Sequence, residues 1–522
     1  MTDNKRELTK EAQALDYLRR IVLAPVYDVA VETELTPCTK LSALLGQKVS
    51  LKREDQQPVH SFKLRGAYNK LANLSEAQCI NGVIAASAGN HAQGLAMAAN
   101  KLGINATIVM PITTPDIKVD NVRRFGAEVR LIGKSFNEAQ EASVKFSRDE
   151  DKTLVHPFDD IDVISGQGTV AKELLKQQPN VDVVFIPVGG GGLLAGMSVY
   201  LKQIRPNIKV IGVEAQDSAC LKAALEAGYP IDLKEVGLFA DGVAVKRIGE
   251  NTFNLIKHYC DQVITVTTDE ICTSIKDIFD QTRVIAEPAG ALSLAGLKKY
   301  CLTKENKSSE SLVAILSGAN MNFHTLRYVS ERCELGEKKE AVLSVTIPEE
   351  KGSFRRFAQV LAGRVITEFN YRFVGNKAHK QQSANIFVGL RLSGEPEERK
   401  TLNQQLLNEG YQVDDFTENE LAKVHVRYMI GGHNPAPIQE RLFAFQFPEY
   451  PGALENFLNT LGEHWNITLF HYRNHGAAFG QVLAGFEVKN EQELSFFNHL
   501  NDLGYQWTEE TDNSAYKSFL TS

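Results

Sequence analysis

VDVVFIPVGGGGLLAGMSVYLKQI, residues 181–204, runs from an almost continuous apolar stretch through four glycines into a helical pattern. That order predicts a strand buried on both faces, a tight turn and a helix. The glycines let the backbone approach a ligand closely, so several N–H groups can converge on one anion at a helix N-terminus whose dipole favours negative charge. No Gly-Lys-Ser/Thr closes the loop, which excludes the nucleoside-triphosphate cradle. The G-x-G-x-x-G spacing with a distal acid, needed for a dinucleotide, is also missing. A phosphate cradle of another kind is the functional reading, and a merely flexible turn is the plain one.

The same alternation extends to both sides. VIAAS (83–87) precedes GLAMAANKLG, ATIVMP (106–111) precedes VDNVRRFG, and KVIGVEA (209–215) precedes CLKAALEAG. Apolar runs alternating with helical patterns from about residue 48 to 330 predict an α/β fold of parallel sheets covered by helices. The 522 residues amount to several domains at about 150 residues each. Lys+Arg 57 against Asp+Glu 64 leaves a net charge of −7 with both signs interspersed, which argues against nucleic acid or an anionic membrane surface as partner. Seven scattered cysteines without a Cys-x-x-Cys pair speak against a disulfide framework or structural zinc. The start lacks an apolar signal core and no apolar run approaches about 18 residues, so a soluble cytoplasmic protein is expected.

Beyond the charged GEKKE (336–340) the texture changes to strands alternating apolar and polar residues, and the chain repeats itself. AVLSVTIPEEKGSFRRFAQVLAG (341–363) aligns with RLFAFQFPEYPGALENFLNTLGE (441–463), pairing Pro348 with Pro448, Gly352 with Gly452 and Phe357 with Phe457. ITEFNYR (366–372) aligns with ITLFHYR (467–473), and NIFVGLRL (385–392) with QVLAGFEV (481–488). Each copy reads as strand, helix, strand, strand, helix, strand, the α+β ferredoxin-like order. The expected division is therefore 1–335, 341–413 and 436–508.

Three further segments carry chemistry. In HSFKLRGA (60–67), Lys63 opens a helical stretch after a turn-like QQPVH, where its amine can face a cleft; a surface lysine is the plain alternative. SAGNHAQG (87–94) follows a strand and opens a helix, so the Ser87 hydroxyl and nearby N–H groups can take a carboxylate, or form an ordinary N-cap. His91 reads equally as a packed imidazole. LSGAN (316–320) puts the Ser317 hydroxyl at the C-terminal end of a strand, where ligands of open α/β sheets gather.

Together the four segments resemble the motifs of the fold-type II pyridoxal-phosphate enzymes, in order and spacing, over about residues 20–325. With the duplicated tail, which resembles a pair of ACT-like regulatory modules, the whole chain is similar to the biosynthetic threonine deaminase (threonine ammonia-lyase) family. The resemblance implies pyridoxal 5′-phosphate as cofactor and a tryptophan-synthase-β-like catalytic fold. It assigns the Schiff base to Lys63, the phosphate to Gly189, Gly190, Gly191, Gly192 and Leu193, the cofactor's 3′-oxygen to Asn90 and the pyridine nitrogen to Ser317. Lys63 and Ser317 are the catalytic candidates, and Ser87, Ala88, Gly89, Asn90 and His91 form the substrate-carboxylate loop.

The implied reaction is dehydration and deamination of L-threonine, with L-serine a second candidate, to 2-oxobutanoate and ammonia, the first committed step of isoleucine biosynthesis. Isoleucine is the expected inhibitor, valine a candidate opposing effector, and a homotetramer the expected assembly. In each copy the Gly352 or Gly452 turn leads a helix whose free N–H groups suit an amino-acid carboxylate, with Phe354, Tyr371 and Tyr472 as regulatory candidates. Serine racemases place a cation-binding Glu and, six residues on, an Asp; here Glu214 is followed by Cys220, a poor ligand for oxygen-seeking cations, so no divalent metal is expected. A serine dehydratase or racemase on the same fold, or a catalytically dead amino-acid sensor, are the alternatives; the duplicated tail weighs against the first and intact Lys63, Asn90 and Ser317 against the second.

Overall fold

The computed structural model describes residues 2–303, 309–323, 325–336, 339–348, 353–361, 364–370, 383–395, 397–428, 439–448, 457, 460–461, 465–473 and 479–520. The chain groups into two compact units, Met1–Asn322 and Phe323–Ser522.

The first unit holds two sheets. The larger orders its strands Leu35–Pro37, Lys48–Arg53, Ser311–Leu316, Val183–Pro187, Lys209–Ala215 and Gln262–Val266. Only the first pair is antiparallel. The smaller is wholly parallel, in the order Glu128–Leu131, Ala106–Met110, Val83–Ala86 and Thr153–Leu154. Every residue of Val183–Pro187, Ala106–Met110 and Val83–Ala86 is buried, which is why these strands read as unbroken apolar runs.

Helices Lys63–Ala72 and Ile161–Gln177 pack so closely that a Cβ on Gly166 would lie 2.6 Å from both the Arg65 carbonyl oxygen and the Gly66 Cα. The second of these helices starts where the Asp160 carboxylate accepts the Asp162 and Val163 N–H groups at 2.8 and 3.2 Å, an N-cap that also favours the dipole.

Beneath the Lys63 helix lies a fully buried ionic cluster. Arg65 donates to Glu54 through Nε and Nη2, both at 2.8 Å, and through Nη1 to Glu173 at 2.6 Å; Lys52 donates to Glu173 at 2.6 Å. Thr33, Gln57 and Thr169 satisfy further atoms of the group. Burial opposes the charge on Arg65, but Glu54 and Glu173 outweigh it and raise its pKa. Burial also works against ionised Glu54, and Arg65 prevails to hold its carboxyl low. Two cations face two anions with their donors and acceptors engaged, the condition under which buried ions are tolerated.

The second unit carries two antiparallel four-stranded sheets of identical topology. Their orders are Ile366–Asn370, Ser383–Arg391, Glu340–Pro348, Gln412–Asp415 and Asn466–Arg473, Phe479–Glu487, Glu440–Pro448, Gln506–Glu509. Numbered within each copy, both are 2-3-1-4, the ferredoxin-like arrangement. The duplication holds at the level of register: Val345 pairs with Ile386 and Val413 in one copy, Phe445 with Val482 and Trp507 in the other. Even the irregularity recurs, between Ile366 and Glu368 and between Ile467 and Leu469. Each copy also ends in a short helix, Glu420–Val424 or Ser514–Phe519. These bury Leu421, Ala422, Tyr516 and Phe519 in one cluster with Val342, Phe387, Leu442 and Leu483 of both sheets.

Among the described residues no helix is long and apolar enough to cross a membrane, and none of the seven cysteines forms a disulfide.

Candidate active site

The C-terminal ends of Val183–Pro187 and Ser311–Leu316 open onto a cavity lined by Lys63, Asn90, the Gly189–Leu193 loop, Glu287 and Ser317 among others. Five places along the chain thus meet at one site, the usual ligand position of an open α/β sheet.

Lys63 is the first residue of its helix. Burial pushes its amine down to about 8, against the pull of Glu287, so a neutral, nucleophilic amine is accessible near physiological pH.

In the same cavity wall, Gly191 holds φ at +91°, a left-handed conformation that caps the helix Gly192–Ile204. The Gly190 carbonyl is turned away to accept the Thr252 hydroxyl at 2.8 Å. Among the described residues no protein acceptor takes the N–H groups of Gly189 to Leu193. A glycine loop with unspent donors at a helix N-terminus fits a phosphate group. With the Lys63 amine, the Asn90 amide and the Ser317 hydroxyl lining the same cavity, the donor set fits pyridoxal phosphate.

Ser317 is buried, and its hydroxyl donates to the Ala289 carbonyl at 3.3 Å. Of the candidate carboxylate loop, only Asn90 lines the cavity. Ser87 Oγ accepts weakly from Gly89 and Ala92 N–H at 3.4 and 3.3 Å, serving the start of the helix Asn90–Leu102. Ala88 and Gly89 are partly exposed, and a side chain at Gly89 would meet nothing within 4 Å, so the loop backbone faces open space. His91 is buried with neither ring nitrogen in a well-formed hydrogen bond. Burial, with Lys63 and His156 nearby, pushes it down to about 3, so it is a neutral imidazole.

Glu214 is fully buried and accepts the Leu221 and Lys222 N–H groups at 2.7 and 2.9 Å, one on each carboxylate oxygen. Cys220 Sγ lies 3.5 Å from the Gly189 carbonyl. The Phe354 and Tyr371 side chains lie outside the described residues, as do Gly352 and Gly452; Tyr472 stands opposite Val482 in its sheet, and its side chain is likewise outside them.

Glu287 is the functional residue that sequence reasoning missed. Only 4% exposed, it lies within the cavity wall, where its Oε1 accepts from Asn90 Nδ2 at 2.6 Å. Burial raises its pKa to about 7, with Asp241 adding to the rise while Asn90, Lys118 and Lys63 oppose it. Its one signal in the sequence is an acid directly before Pro288 at a helix start.

Comparison with known proteins agrees with this geometry. Residues 26–318 match the family model "Pyridoxal-phosphate dependent enzyme", and residues 331–426 and 434–520 match "C-terminal regulatory domain of Threonine dehydratase". The chain is 56% identical over 517 residues to L-threonine dehydratase biosynthetic IlvA of Escherichia coli K12, covering 99% of each. Among solved structures, the processed form of threonine deaminase isoform 2 from Solanum lycopersicum is 47% identical with a TM-score of 0.61, over 62% of this chain and 93% of that one. Maize serine racemase is 31% identical with a TM-score of 0.57, over 60% and 96%. By sequence along its whole length, by fold and by regulatory tail, the chain belongs to the biosynthetic threonine dehydratases, pyridoxal-phosphate-dependent lyases.

Proposed function

We propose that Lys63 is the base and cofactor-anchoring amine of an enzyme that converts L-threonine to 2-oxobutanoate and ammonia, with L-serine as a second candidate substrate. The observation that carries this is the convergence of Lys63, Asn90, the Gly189–Leu193 loop and Ser317 on one cavity. Gly189, Gly190, Gly191, Gly192 and Leu193 would hold the cofactor phosphate, Asn90 its 3′-oxygen and Ser317 its pyridine nitrogen. When bound, pyridoxal phosphate supplies an electron-withdrawing ring conjugated to the substrate nitrogen, which weakens the bond to the α-hydrogen.

With its pKa lowered to about 8, the Lys63 amine is suited to take that proton. Ser317, a neutral hydroxyl, leaves the ring less electron-poor than a carboxylate partner would. That favours prompt loss of the β-hydroxyl over slower side reactions. The exposed backbone of Ser87, Ala88, Gly89 and Asn90, beside His91, would receive the substrate carboxylate. Both oxygens of Glu214 are engaged by helix N–H groups and Cys220 is a poor partner for Mg²⁺ or Ca²⁺, which supports turnover without a divalent metal.

The proposed division is a catalytic domain over 1–335 and regulatory modules over 341–413 and 436–508. Isoleucine would act in the modules through Phe354, Tyr371 and Tyr472, with valine a candidate second effector, in a cytoplasmic homotetramer. A biosynthetic enzyme with a duplicated regulatory tail has reason to sense its pathway's end product, and coupling then requires that the effector favour one of two arrangements. The test is 2-oxobutanoate formation from threonine, with and without isoleucine, for the full chain. An enzyme that turns over threonine and is inhibited fits; turnover indifferent to isoleucine removes the regulatory half of the proposal.

A further inference from the structure

Asn90, Glu287 and Asn320 come together at the cavity wall, to which the first two belong, from three places: the start of the helix Asn90–Leu102, the irregular stretch before Pro288, and the loop after Ser311–Leu316. They form a chain of hydrogen bonds with a fixed direction. Asn320 Nδ2 donates to the Val59 carbonyl at 2.9 Å and to Asn90 Oδ1 at 2.7 Å. A backbone carbonyl only accepts, so the end of Asn320 at Val59 is its nitrogen. That nitrogen faces Asn90, so the atom of Asn90 turned toward it is oxygen. Asn90 Nδ2 therefore points at Glu287 Oε1, 2.6 Å away. Reversing the Asn90 amide would set nitrogen against nitrogen and oxygen against oxygen. Glu287 accepts this bond whether ionised or protonated, because a carboxylic acid keeps an acceptor oxygen.

The amide nitrogen has two hydrogens, and Glu287 uses one. Asn90 itself lines the cavity, so the second is the donor left for a ligand. We propose that Glu287 and Asn320 are positioning residues that lock the Asn90 amide, so that it offers the cofactor's 3′-oxygen a donor and not an acceptor. This rests on the reading of Asn90 given above. A donor stabilises the anionic form of that oxygen, which absorbs at longer wavelength than the protonated form.

The test titrates cofactor-free full-length protein with pyridoxal phosphate, reading the dissociation constant and the absorption spectrum, with circular dichroism as the check on folding. Glu287→Gln keeps an acceptor oxygen for Asn90 and should stay within about threefold of wild type with an unchanged band. Glu287→Ala and Asn320→Leu free the amide to turn. Each should weaken cofactor binding about tenfold, the worth of one such hydrogen bond, and move intensity to the shorter-wavelength band. In an Asn90→Ala background, Glu287→Ala should add less than about twofold, since its effect runs through Asn90.

Wild-type protein that gives no visible band would overturn the cofactor reading itself. Wild-type protein that binds normally, with a folded Glu287→Ala or Asn320→Leu variant of unchanged spectrum and affinity, overturns the positioning inference alone. Should one variant fail to fold, the other decides.

Discussion

Arg65 grips Glu54 through two parallel hydrogen bonds of 2.8 Å, with both side chains wholly buried, on the helix that Lys63 begins two residues earlier. Sequence position thus ties the Lys63 amine to a rigid ionic anchor.

Glu54→Ala should accordingly be severe. It leaves the Arg65 guanidinium buried with Glu173 as its remaining anion among the described residues, and breaking such a pair costs about 3–5 kcal/mol. Denaturant unfolding of the variant checks this. A loss below about 1 kcal/mol would mean that water or another group replaces Glu54 freely.

Gly166→Ala inserts a methyl group 2.6 Å from the Arg65 carbonyl and the Gly66 Cα, both backbone atoms. Overpacking of this kind costs about 1–3 kcal/mol, and the helix carrying Lys63 must move to relieve it. Thermal denaturation with parallel threonine turnover should show both a lower midpoint and a lower kcat. An unchanged midpoint contradicts the close approach of the two helices.

With Lys63 in its proposed role, capture of pyridoxal phosphate by the cofactor-free protein would need the neutral form of its amine, whose pKa burial lowers to about 8. The capture rate should climb about tenfold per pH unit below pH 8 and level off above it, whereas an ordinary lysine levels off near about 10.4. The linkage runs the same way. Between these two values the unfolded chain binds the proton that the folded one has lost, so stability of the cofactor-free protein gains from this group as pH rises. Stopped-flow absorbance against pH reads the midpoint, and a value above pH 10 contradicts it.

Ser317→Asp would place an ionisable partner at the proposed pyridine position and deepen the electron sink. Racemised or transaminated threonine should rise relative to 2-oxobutanoate. Product ratios by chromatography decide the point. A measurable activity with the wild-type ratio means Ser317 does not face the ring.

Much of this arrangement was legible in the sequence, because its signals are local. Apolar runs such as VDVVFIPV mark strands buried on both faces, and the aligned segments of the repeat reappear as equivalent pairing registers, Val345 with Ile386 and Phe445 with Val482. What was not legible depends on contacts at a distance. Nothing near Val83 or Ala106 says that these strands leave the larger sheet to form one of their own. The helices Glu420–Val424 and Ser514–Phe519, beyond each aligned copy, owe their burial to each other and to both sheets, a short-range weakness that propensity does not reveal. Glu287 carries no motif, since its role comes from an amide 197 residues away.

The most direct measurement is threonine turnover by Lys63→Ala, in buffer replete with pyridoxal phosphate, on protein shown to be folded by circular dichroism. Loss of the base and of the anchoring amine together should lower 2-oxobutanoate production by more than about 10³-fold. Production within a few-fold of wild type would contradict the assignment of Lys63 and, with it, the account of the cavity.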